Sequence, residues 1–152
     1  MPRLSFLLPA LLLALSACSG QQAPRPATLL PEQPAHADFD ALRVHYSLLP
    51  TLAMNESVAR DYGVERAPDR ALLVVALRQR VGDEEQSIAG EVSATATDLS
   101  GKRQSVALRP VQVGSYTDLI GVVDAHANDQ LRVELQVDTL AGGGKVRFER
   151  SF

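Results

Sequence analysis

Between positions 131 and 137 the chain reads Leu-Arg-Val-Glu-Leu-Gln-Val, so that Leu131, Val133, Leu135 and Val137 are separated by Arg132, Glu134 and Gln136. Successive side chains of an extended strand point to opposite faces, so this period of two puts every aliphatic group on one side and every polar group on the other. Such a strand needs a sheet with one buried and one wet face. The pattern recurs along the chain. Leu42, Val44, Tyr46 and Leu48 alternate with Arg43, His45 and Ser47; Val92, Ala94 and Ala96, with Ile88 ahead of them, alternate with Ser93, Thr95 and Thr97; Val146, Phe148 and Phe152 alternate with Arg147, Glu149 and Ser151. Residues 71–77 read Ala-Leu-Leu-Val-Val-Ala-Leu, an unbroken apolar run expected of a central strand covered on both faces.

The segments between these runs carry turn chemistry. Asp98-Leu99-Ser100-Gly101 predicts a hairpin turn leading to a return strand with Val106 and Leu108, and Pro110 is expected to break that strand. Residues 116–123 form another strand, with Tyr116, Ile120 and Val122 on one face; Asn128-Asp129 turns the chain, and Gly142-Gly143-Gly144 leads to the last strand. One stretch has helical chemistry. Asn55 suits the N-cap, Glu56 the first turn, Val58 and Tyr62 share a face, and Gly63 fits the C-terminal cap of a helix of about two turns. About seven strands with one short helix in roughly 114 residues imply an all-β, antiparallel immunoglobulin-like β-sandwich, with a partly open barrel as the alternative. With one cysteine and no tryptophan, the immunoglobulin disulfide and its tryptophan are missing, so packing of Leu, Val, Ile and Ala must hold the sheets together.

The N-terminal segment sets the compartment. Arg3 precedes an apolar stretch from 4 to 15 that is too short to cross a bilayer, which takes about 20 residues, but suits an export signal. Leu15-Ser16-Ala17-Cys18 at its end resembles the bacterial lipoprotein signal, in which the cysteine sulfur is acylated and the chain is cut just before it. On that resemblance residues 1–17 are the signal peptide and Cys18 is the lipidation site, with the membrane as a partner through the anchor. Ser19 stands where an aspartate commonly retains such proteins in the inner membrane, which implies the periplasmic side of the outer membrane. Residues 18–38, with Pro24, Pro26, Pro31 and Pro34, form a tether, and residues 39–152 the β-domain. About twenty tether residues reach about 25 Å as flexible coil and about 60 Å as polyproline helix.

The domain resembles a small family of exported proteins of Gram-negative bacteria catalogued as a domain of unknown function. The residues that carry the resemblance are Val44-His45-Tyr46, Val58-Ala59 with Tyr62-Gly63, Arg70-Ala71-Leu72-Leu73, Thr95-Ala96-Thr97 with Leu99-Ser100-Gly101, and residues 131–137. The resemblance implies an immunoglobulin-like fold and periplasmic exposure, and brings no catalytic residues with it.

No nucleophile, base and orienting group stand together in the sequence. His36 falls in the tether, His45 on a strand face shared with Arg43 and Ser47, and His126 before a turn, so no pair has the spacing of helical metal ligands. Met54 alone does not make a soft-metal set. Residues 139–146 superficially match a phosphate loop, but Thr139 replaces the first glycine, Val146 replaces the hydroxyl residue, and a strand follows where a helix is needed. Asp83-Glu84-Glu85 lacks the alternating oxygen ligands of a calcium loop and is expected to be a solvated charge run. A net charge of -3 without a basic stripe argues against nucleic acid. The expectation is a non-enzymatic envelope domain with no catalytic residues, metal or cofactor, that binds an envelope protein through a sheet edge or loop end. A small-ligand or metal-binding sandwich is the alternative. Replacing the anchor residue tests the compartment directly: Cys18→Ser should move the protein from the membrane fraction to the soluble fraction or block its maturation. Equal fractionation and intact mass for variant and wild type would show that Cys18 is not acylated.

Overall fold

In the structure, a computed structural model, residues 35–152 are described. Ten strands follow in the order β1 (His36–Phe39), β2 (Leu42–Pro50), β3 (Arg70–Val81), β4 (Glu84–Ser87), β5 (Gly90–Thr97), β6 (Arg103–Val106), β7 (Arg109–Val113), β8 (Tyr116–Asp124), β9 (Gln130–Thr139) and β10 (Gly142–Ser151). Between β2 and β3 lie a 3-10 turn (Thr51–Ala53) and the helix α1 (Glu56–Asp61). Every pairing is antiparallel. One sheet runs β1-β2-β3-β8-β7, with β4 also paired to β3, and the other runs β10-β9-β5-β6. The expected antiparallel sandwich is therefore what forms.

Its core is the meeting of the two alternating faces. Leu131, Val133, Leu135 and Val137 of β9 are at most 1% exposed and pack with Leu42, Val44, Leu73 and Val75 from the facing sheet. Tyr46 stacks on Phe148 with ring centroids 4.5 Å apart, which joins β2 to β10 across the interior. β3 is buried on both faces, as its apolar run requires. Leu73, Val75 and Leu77 enter the main core, while Leu72 joins Ile120, Met54, Ala59 and Val64 in a smaller core on the opposite side. The 3-10 turn and α1 supply that cover. Asn55 caps α1 by accepting from the Ser57 backbone N–H at 2.8 Å, and Gly63 leaves it at a φ of 60°.

Three local expectations are corrected. Three short strands, β1, β4 and β7, join the expected seven because each borrows its hydrogen bonds from a longer neighbour. His36 to Asp38, assigned above to the tether, belong to β1. Pro110 does not end a strand but sits within β7, an edge strand paired to β8 alone, where a missing N–H is tolerated. On α1 the buried residue is Ala59, with Val58 41% exposed, since the short helix turns its smaller side chain toward the sheet.

The facing of β9 carries a stability difference between neighbours. Val133→Asp should cost several kcal/mol by placing a charge where no partner exists, and Arg132→Ala about 0.5 kcal/mol or less. Denaturant midpoints of the two variants against wild type measure this, and equal midpoints would contradict the facing.

Candidate functional site

At the end of the larger sheet remote from α1, the outer face changes from apolar to charged. The register sets Asp38 of β1 opposite Arg43 of β2, and His36 opposite His45. Arg43 grips Asp38 with two parallel bonds, Nε donating to Oδ1 at 2.7 Å and Nη2 to Oδ2 at 2.9 Å. Its remaining nitrogen, Nη1, donates to Oε1 of Glu85 at 3.2 Å, and the other oxygen of Glu85 lies 2.8 Å from His45 Nε2. A carboxylate only accepts, so Nε2 of His45 carries the proton in that bond. The His36 ring stands beside His45, centroids 5.9 Å apart. Arg80 closes the group, its Nη1 3.6 Å from Asp38 and its Nη2 donating to the Asp40 carbonyl at 2.9 Å.

The electrostatics follow from these contacts. The Arg43 hydrogen bonds pull the Asp38 carboxyl from 3.8 down to about 2. Glu85 is likewise held below its usual range, first by the His45 hydrogen bond and then by Arg43. Glu85 is thus not part of a solvated charge run. The turn at Gly82-Asp83 returns the chain as β4, and that return carries the Glu85 carboxylate onto the outer face of the sheet beside β2.

A second charged group is structural. Arg78 is 8% exposed, and its guanidinium donates to the Leu77 carbonyl at 3.0 Å, the Thr117 carbonyl at 3.1 Å, Ser87 Oγ at 3.3 Å and the Asp118 carboxylate. It also lies 4.7 Å from the centroid of the Tyr116 ring. These bonds tie β3, β4 and β8 together.

Of the other residues weighed in the sequence, Met54 is buried beneath α1, His126 is exposed beside the β8–β9 turn, and Cys18 lies outside the described residues. Residues 139–146 form the β9–β10 hairpin, whose glycines lie within β10. Gly144 is required there, because a Cβ would fall 2.3 Å from the Phe39 ring that closes over it. Two depressions lie away from the charged network. One, of 920 Å³, is a broad open area over Glu91, Asp138 and Gly143 on the smaller sheet. The other, of 480 Å³, is lined by Leu77, Ile88, Pro110 and Leu119.

The class that these strands define is the two-sheet antiparallel β-sandwich. The chain belongs to the family described as domain of unknown function DUF4426, which matches residues 36–152. Its fold is similar to that of a DUF4426 protein from Pseudomonas aeruginosa PAO1, with a TM-score of 0.64 and 19% identity over 77% of this chain and 92% of that one. It is also similar to FetP of a uropathogenic Escherichia coli strain, expressed in the periplasm, with a TM-score of 0.54 and 13% identity over 77% and 91% of the two chains. A copper-bound variant of that FetP gives a TM-score of 0.52 at 13% identity, over 77% and 93%. At these identities the likeness is one of fold. No curated protein matches the chain.

The carboxylates of the network link its stability to pH. Both Asp38 and Glu85 are lowered in the folded state, so their contribution is complete above the ordinary carboxylate range and is lost as pH falls through the folded values. Asp38→Asn should therefore flatten the fall of the denaturant midpoint between 3.8 and about 2. A variant as steep as wild type over that window would show that Asp38 does not feel Arg43 in solution.

Proposed function

We propose that the protein is a lipid-anchored, non-enzymatic binding domain of the cell envelope, held through Cys18 at the periplasmic face of the outer membrane. Its ligand is an extended segment of another envelope protein, which adds a strand along the free edge of β10. One observation carries this reading: β10 runs for ten residues and pairs with β9 on one side only. The other edge strands β1, β6 and β7 are four or five residues long, the usual means of discouraging strand addition. Lys145 and Arg147 of β10 already pair with Glu134 of β9, so main-chain hydrogen bonds supply the affinity for the added strand. The expression of FetP in the periplasm is in keeping with an exported sandwich of this kind.

A metal-binding sandwich is the second reading, favoured by the copper-bound state of the FetP variant.

Site-specific photo-crosslinking in intact cells tests the first reading. A probe at Arg147 on β10 should capture one reproducible envelope protein, while a probe at the exposed Gln136 on the central strand β9 should not. Purified partner should then slow amide hydrogen exchange in residues 145–151. Equal capture at both positions, or no slowing on β10, would refute strand addition.

A further inference from the structure

We infer that His36, His45 and Glu85 are the protein ligands of an open site for a divalent transition cation that favours imidazole, copper(II) or zinc(II). The inference gives the second reading a place in the fold and is independent of the β10 edge. Its foundation is the strand register, which sets His36 directly opposite His45. Cross-strand partners have Cβ atoms about 4.5–5.5 Å apart, so the spacing of the two rings is built into the backbone and not into a chance rotamer. The rings stand with centroids 5.9 Å apart and planes at 50°. A tetrahedral ion with metal–nitrogen bonds of about 2.0–2.1 Å needs its two imidazole nitrogens about 3.3 Å apart, a distance that side-chain rotation of facing histidines spans.

Glu85 supplies the third ligand. Its Oε2 already lies 2.8 Å from His45 Nε2. A bound cation would take the place of the Nε2 proton between the same two atoms, with that proton released to solvent. Among the described residues no three metal-ligating groups already converge on one point, so loading turns the side chains. They have room to turn, since the His45 side chain is 40% exposed and that of Glu85 30%. Arg43 is the one guanidinium in contact with this carboxylate, and its bidentate pairing with Asp38, which Arg80 shares at 3.6 Å, offsets part of its charge. Two imidazoles and one carboxylate suit copper or zinc and not magnesium or calcium, which take all-oxygen sites. The ligands come from β1, β2 and β4, so the ion would fasten the four-residue edge strand β1 to the sheet.

The test uses the full chain purified in detergent, zinc sulfate in calorimetric titration, and one equivalent of copper sulfate in electron paramagnetic resonance. Expected are one ion per chain and a copper spectrum with imidazole nitrogen coupling. His36→Ala should weaken zinc binding by about tenfold or more, at least the loss found for removing groups that merely support a ligand. Glu85→Gln should weaken it in the same direction. His126→Ala, at a site remote in sequence and exposed, should bind as wild type does. Thermal midpoints in chelator check folding, and His36→Asn replaces the alanine variant if that one is destabilised. Binding that is unchanged in both His36 and Glu85 variants would overturn this site while leaving a metal-binding domain. No stoichiometric binding of either ion to wild type would overturn both.

Discussion

The burial of β3 on both faces is the constraint on which the remaining structure depends. Each large side chain moved from water into such a core contributes about 1.5–3 kcal/mol, and β3 has Leu73, Val75 and Leu77 directed one way and Leu72 and Val74 the other. One sheet cannot cover both. The facing sheet covers the first set, and the connection between β2 and β3 is bent into a 3-10 turn and helix to cover the second. The short helix therefore exists as a lid for Leu72 and Ile120, and the cap at Asn55 stabilises a segment too short to be helical in isolation.

That lid reaches only part of the sheet. Past Ala76 the outer face of β3 carries Arg78 and Arg80, and the neighbouring strands answer with Asp118, Asp38 and Glu85. The two halves of this charged end differ in kind. Arg78 is enclosed and bonded to β4 and β8, so it acts as a fixed tie between strands. The group around Arg43 is half open to solvent, and each of its bonds can be exchanged for one to water or to a ligand. The proposed ion would find exchangeable bonds on that second half. The edge of β10 is a separate resource: its pairing needs are set by backbone groups, and its outward charges are already engaged with Glu134 and Arg132 of the neighbouring strand.

Much of the fold was legible because alternation reports which way a side chain faces. Residues 42–48, 71–77 and 131–137 take the environments that their patterns demand, and Asn55 and Gly63 bound the helix as their chemistry predicts. Alternation says nothing about neighbours. It could not reveal that the chain passes from one sheet to the other between β6 and β7, since Val106 and Pro110 are four residues apart in a stretch that reads as one broken strand. It could not place His36 on a strand either, because β1 has only four residues and is ordered by β2. The local sequence around Glu85 reads as an acidic turn, and nothing nearby names His45 as its partner.

By itself, then, the sequence determined the all-β class, the inward set of side chains on the long strands, the helix caps and the family. These are local consequences of period, turn residues and capping chemistry, which act within a few positions. Tertiary structure alone decided the order of strands, the double cover of β3, the free edge of β10 and the contacts of His45 with His36 and with Glu85. Those depend on which buried faces fit one another and on how β4 folds back along β3, so that residues 40 apart come within a hydrogen bond.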